Sequence, residues 1–169
     1  FHFINEALKI DKHYRDAYVM KGVNYRNLSA GSVEVKAQQK YRMLAQSSFE
    51  TAVQQDPKFF LGYLQLGWLY TEDGKYKYAL ESFKNAATIE PTSSESLYGI
   101  ASSYQELGDY PNALAEYRHL LQVDTSYYLA LFNQGYIKQF HQNELDSAVY
   151  FYQSAIESRP DFVNGWHNL

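Results

Sequence analysis

YLQLGWLYTEDGKYKYALESF, residues 63–83, is the stretch that decides the fold. Tyr63, Leu66, Gly67 and Tyr70 fall at i, i+3, i+4 and i+7, the stripe of a helix buried along one face. Asp73 and Gly74 interrupt the stripe, and Ala79 and Phe83 resume it. The spacing predicts helix, turn, helix. Gly67 stands in the middle of the first helix, where glycine costs about 1 kcal/mol against alanine. A close crossing by the second helix, with Ala79 as its own small residue, accounts for that choice. Gly74 is placed to end the first helix in a left-handed conformation. Pro91, which cannot donate the hydrogen bond a continuing helix needs, is placed to stop the second.

The pattern then returns at a fixed offset: Gly67 falls on Ala101, Tyr70 on Tyr104, Gly74 on Gly108, Tyr76 on Tyr110, Ala79 on Ala113 and Phe83 on Tyr117. A constant period of about 34 residues marks a chain built from stacked supersecondary units, none of which can bury its apolar stripe alone. The pattern resembles the tetratricopeptide repeat, a helix-turn-helix unit with an aromatic residue or Leu at position 4, Leu at 7, a small residue at 8 and Tyr at 11. Ala follows at 20, an aromatic at 24, Ala at 27 and Pro at 32. Residues 60–93 match throughout, with Tyr63, Leu66, Gly67, Tyr70, Ala79, Phe83, Ala86 and Pro91. Residues 94–127 match with Leu97, Ile100, Ala101, Tyr104, Ala113 and Tyr117 but depart at Leu120 and Thr125.

The resemblance extends over the whole chain and implies an all-α fold, a right-handed α-solenoid of antiparallel helix pairs. Residues 1–14 read as the second helix of a truncated repeat, and residues 15–59 as a repeat with an insertion near 28–40. Repeats follow at 60–93, 94–127 and 128–162, the last with one extra residue in its turn, and residues 163–169 begin another. The insertion shows in the spacing of small residues. Ala79 comes twelve positions after Gly67, but Ala45 comes twenty-three after Gly22, a surplus of eleven. Eleven residues are close to three helical turns, and Gly31 comes early among them, so the extension is expected mainly on the second helix, from about Val33. It is either a tolerated insertion at an exposed turn or an extra docking surface. Phe1, Phe3, Trp166 and Leu169 are expected to meet flanking repeats or a partner chain.

In the family the first helices line a concave groove through positions 2, 5, 6, 9, 12 and 13. The resemblance therefore implies a partner-binding groove made of Val19, Met20, Val23, Arg26 and Asn27, then Leu64, Gln65, Trp68, Thr71 and Glu72. Tyr98, Ser102, Gln105 and Glu106 continue it, followed by Phe132, Asn133, Tyr136, Gln139 and Phe140. Aromatic rings and amides suit an extended peptide or a helix, the rings supplying area and the amides pairing with its backbone. Trp68 is the expected anchor, although Trp68 and Tyr136 are equally placed to pack against an adjacent repeat. Some family members clamp a C-terminal carboxylate with Lys and Asn at positions 5 and 9. Val19, Val23, Leu64, Trp68, Tyr98 and Ser102 stand there, so no such clamp is expected.

Chemistry is not expected. His2, His13, His119, His141 and His167 are scattered, and no phosphate loop, dinucleotide fingerprint, zinc-protease helix or nucleophile elbow occurs. There is no cysteine, which removes disulfides and thiolate metal sites. No catalytic, metal or cofactor site is expected, and the chain reads as a non-catalytic scaffold or adaptor for a protein or peptide, a subunit of a larger complex. Residues 1–84 carry 12 Lys/Arg against 9 Asp/Glu, and residues 85–169 carry 3 against 10. The acidic second half is a poor platform for phosphate backbones, so nucleic acid is not an expected partner. An RNA-reading helical-pair repeat and a self-associating array are the alternatives. The content of 17 Tyr and 10 Phe, with runs such as LFNQGYIKQF, is also similar to that of tetratricopeptide lipoproteins of bacterial envelopes. That likeness implies an envelope assembly machine. No apolar run approaches the length needed to span a bilayer.

Overall fold

The computed structural model describes residues 2–11 and 14–168; Phe1, His13 and Leu169, named above, lie outside them. The fold class is all-α, and among the described residues there is no strand. The chain divides into two compact units, Phe1–Pro91 and Thr92–Leu169.

The first unit holds α1 (His2–Ile10), α2 (Arg15–Gly31), α3 (Val35–Gln55), α4 (Phe60–Glu72) and α5 (Tyr76–Ile89). α2 packs on α3 and α4 on α5, while α3 and α2 both lean on α4. The second holds α6 (Ser94–Glu106), α7 (Tyr110–Val123), α8 (Tyr128–His141), α9 (Leu145–Ser158) and α10 (Val163–His167). There α6 packs on α7, α7 on α8, α8 on α9 and α9 on α10.

What the glycines do inside each pair is explicit. A Cβ at Gly22 would stand 2.4 Å from the ring of Phe49, at Gly67 2.5 Å from Phe83, and at Gly135 2.7 Å from Tyr152. These rings, and Tyr117 at the same register of α7, are fully buried. The first helix gives up its side chain so that an aromatic ring from the second can lie against its backbone. Ala79, Ala113 and Ala148 are likewise buried on the second helices.

The connectors differ in residue but not in length. Gly74 and Gly108 have φ of +68° and +77°, and Asn143 takes the same left-handed place with φ 55°. Asparagine is one of the few side chains that tolerates this region. All three connectors have three residues, so the extra residue of 128–162 lies in the helix: α8 has 14 residues where α4 and α6 have 13. The added residue at its end is His141.

The surplus near 28–40 is shared between both helices. α2 has 17 residues against 13 in α4, and α3 has 21 against 14 in α5. Four and seven residues are about one and two turns, so both buried stripes continue outward in register. Ser29 prolongs the line of Gly22 and Tyr25, and its hydroxyl donates to the Gln38 carbonyl at 2.9 Å. Tyr25 and Tyr41 stack at 6.3 Å. The longer arm, on α3, outruns the shorter one on α2 by about 4.5 Å of rise. Here the connector is extended, with ψ 134° at Ser32 and ψ 122° at Glu34, which spans that offset.

Candidate functional site

In the first unit two of the expected groove residues on α2 and α4 are closed off and most of the others are half-buried. Val19 and Leu64 are buried, at 4% and 3% exposure. This corrects the expectation for these two side chains, which are not available to a partner; Val19 lies in the core that α2 shares with α3 and α4. Val23 is half-buried against the same core. Arg26 donates from Nη1 to Gln65 Oε1 at 3.0 Å and stands 4.0 Å from Glu72. Arg42, from α3, reaches Glu72 at 3.8 Å and pairs with Asp73. Thr71 donates back to the Gly67 carbonyl at 3.0 Å. Trp68, the expected anchor, is half-buried and meets Phe83 edge-on at 4.8 Å. Met20 and Asn27 remain exposed.

The second unit is built differently. Position 5 carries Tyr98 and Phe132 in place of Val and Leu, and these larger rings are only partly covered. Phe132 makes an edge contact with Phe162 at 5.1 Å and a tilted one with Tyr152 at 5.4 Å. Asn133 donates from Nδ2 to the hydroxyls of Tyr98 at 3.2 Å and Tyr117 at 3.0 Å. The Tyr117 hydroxyl donates onward to Gln105 Oε1 at 3.1 Å. Tyr152 does the same to Gln139 Oε1 at 2.7 Å. So two aromatic residues of the buried core, Tyr117 and Tyr152, send their hydroxyls to amides on the surface of the first helices. Ser102 is half-buried and bonds back to Gly99 at 3.2 Å. Tyr136 and Phe140 lie together at 4.8 Å, exposed by 38% and 56%.

Burial raises the pKa of Tyr98, and that of Tyr117 well above its ordinary value, although the Asn133 hydrogen bond pulls both back. Burial likewise pushes Tyr127 and Tyr152 up to about 12. These hydroxyls are therefore neutral near pH 7, and those of Tyr117 and Tyr152 keep the proton they donate to Gln105 and Gln139.

Between α6, α7 and α8 this surface opens into a cleft of about 430 Å³, bounded by Gln105, Glu106, Tyr110, Phe132, Asn133, Tyr136 and His141. Tyr110 and His141 close one end, with rings stacked at 3.8 Å. The groove register does not include this pair; it is made by the one added residue of α8.

Helix pairs crossing at glycine or alanine, with first helices carrying aromatic and amide side chains, define a helix-hairpin repeat protein of the α-solenoid class. The chain belongs to the tetratricopeptide repeat family: two sequence profiles, each described as tetratricopeptide repeat, match residues 48–81 and 98–161. It is 32% identical over 136 residues to tetratricopeptide repeat protein 37 of Xenopus laevis, covering 73% of this chain and 9% of that protein. It is 28% identical over 152 residues to superkiller complex protein 3 of Homo sapiens, covering 82% of this chain and 10% of that one. The chain thus spans about a tenth of the length of these curated relatives. Among solved structures it resembles YrrB, described as a TPR protein with an unusual peptide-binding site. The TM-score is 0.77 at 19% identity, over 98% of this chain and 79% of that one. Neither the profiles nor these relatives support the likeness to envelope lipoproteins. Among the described residues, no helix is long and apolar enough to cross a membrane.

Proposed function

We propose that this chain is a non-catalytic scaffold that holds an extended segment of another protein on the first helices of its second unit, α6 and α8. The observation that carries the reading is the hydrogen-bonded row Asn133–Tyr117–Gln105 beside the exposed pair Tyr136 and Phe140. Amides fixed by core tyrosines are ready to bond a peptide backbone without first losing rotamer freedom, a loss that otherwise weakens binding. The neighbouring rings offer apolar area. The charge balance supports a protein partner over RNA: residues 92–169 hold nine acidic side chains against three Lys/Arg. The name of one relative, superkiller complex protein 3, is that of a complex member, in keeping with a role in holding other proteins.

The test is a peptide selected from a displayed random library against this chain, then titrated against three proteins. These are the wild type, the Tyr136→Ala/Phe140→Ala variant, and a variant lacking Leu28–Gly31 and Val35–Tyr41. Loss of about 2 kcal/mol of affinity in the aromatic variant alone is expected, the scale of an interface hot spot. Loss only in the shortened variant would move the site to the α2–α3 projection and refute the assignment to α6 and α8.

A further inference from the structure

The cleft between α6, α7 and α8 is lined by one carboxylate and four rings, and the unit keeps no cation for it. Lys138 pairs with Glu144 at 2.9 Å and Arg159 with Asp161 at 3.1 Å. Arg118 donates to the Leu114 carbonyl at 3.2 Å. These are the three Lys/Arg side chains among 92–169, and among the described residues none pairs with Glu106. The Glu106 side chain is exposed at the cleft. Its charge adds to the rise that burial causes in the pKa of Tyr98 and Tyr117. Asn133 commits its Nδ2 to those two hydroxyls, and its Oδ1 is left without a partner among the described residues.

Resting on the peptide-binding reading above, we propose that this cleft is a specificity pocket for an arginine side chain of the bound segment. The guanidinium would lie on the rings of Tyr136 and the His141–Tyr110 stack, with its N–H groups toward Glu106 and Asn133 Oδ1. Flat faces favour guanidinium over ammonium, because a planar cation stacks while its edge donates in plane. The excess of negative charge in residues 92–169, nine against three, adds long-range attraction for a basic segment. A neutral or acidic side chain would leave Glu106 without a counter-charge.

The experiment uses the whole 169-residue chain and NMR signals of His141 and Tyr136. Ligands are acetyl-Gly-Ser-X-Ser-Gly-amide with X as arginine, citrulline, lysine or glutamate, and N-acetyl-arginine-amide alone. The arginine peptide is expected to bind about tenfold more tightly than its citrulline twin, the scale of one desolvated cation–π contact with a charge-assisted hydrogen bond. Lysine is expected between them. Glu106→Gln, at an exposed position, should reduce arginine to the citrulline level without changing Tm. Equal binding of all four peptides would overturn the pocket and leave the peptide-binding reading standing. Arginine preference that survives Glu106→Gln would also overturn it. Shifts from N-acetyl-arginine-amide with none from any peptide would uphold the cation site and refute the peptide reading. No shift from any ligand would overturn the pocket, with the library selection deciding the other question.

Discussion

Gly67→Ala is a sharp probe of how the helix pairs are held. The new methyl carbon would lie 2.5, 2.6 and 2.7 Å from Cε1, Cδ1 and Cζ of Phe83. Ordinary carbon contacts lie at about 3.5–4.0 Å, so the ring must retreat by roughly 1 Å. It cannot turn aside cheaply, because Phe83 is fully buried with Trp68 against its edge. Overpacking of this kind costs about 1–3 kcal/mol, and three sub-contact distances argue for the upper half of that range. The better helix propensity of alanine offsets about 1 kcal/mol. The net expectation is a loss of roughly 1–2 kcal/mol, which for a chain of this size is a fall in Tm of about 2–8 °C.

The control is Gly31→Ala, at the last residue of α2, where an added Cβ meets nothing within 4 Å. It should be neutral or stabilising by up to about 1 kcal/mol. Pairing Gly67→Ala with Phe83→Leu should cost less than the sum of the single changes by about 1 kcal/mol, because a smaller side chain makes room for the methyl. Urea unfolding followed by circular dichroism measures each of these proteins. If Gly67→Ala behaves like Gly31→Ala, or the two-site cycle is additive within about 0.5 kcal/mol, the ring is not resting on the glycine and the packing argument is wrong.

Other perturbations test separate features. Gln134 is 2% exposed and its Nε2 has no hydrogen-bond partner among the described residues. Gln134→Leu should therefore stabilise by about 1 kcal/mol, by removing an unpaired buried donor, and a fall in the urea midpoint would contradict this. Tyr70, Tyr127 and Tyr152 are held neutral up to about 12, against an ordinary 10.0, chiefly by burial. The unfolded chain releases those protons first, so stability is intact below pH 10 and falls as pH rises from about 10 to 12. A late class in the tyrosinate absorbance titration, with a falling urea midpoint over that window, is the expected pair of results. Arg42→Ala removes contacts to Glu72 and Asp73 that are partly exposed. It should cost less than about 1 kcal/mol and cost still less in high salt; a larger, salt-insensitive loss would mean that Arg42 supports packing.

Small residues at a constant interval made the helix pairs legible in the sequence, because a close crossing admits few substitutes. Gly22, Gly67 and Gly135 each face a ring from the second helix, and no other residue could occupy those places without moving it. The connectors were less legible. A left-handed residue is required after the first helix, but Asn143 satisfies it as well as Gly74 does, so the surplus residue of the third turn read as loop when it is helix. The surplus of residues 28–40 had the same ambiguity. Any split into whole turns preserves both stripes, and only coordinates distinguish four plus seven from eleven on one helix.

The groove register was the part that sequence position could not settle, and the reason is side-chain reach. At position 5 of the first helices Val19 and Leu64 are buried, whereas the larger Tyr98 and Phe132, at the same register, remain partly exposed. One family position is therefore buried in the first unit and partly exposed in the second, according to the size of the residue placed there. His141 extends the principle. It owes its place to one extra residue of α8, and from that helix's far end it meets Tyr110 at the start of α7. A ring pair that arises only when one helix overruns its usual end is a feature of this chain and not of the repeat, and the proposed arginine pocket draws its specificity from that feature.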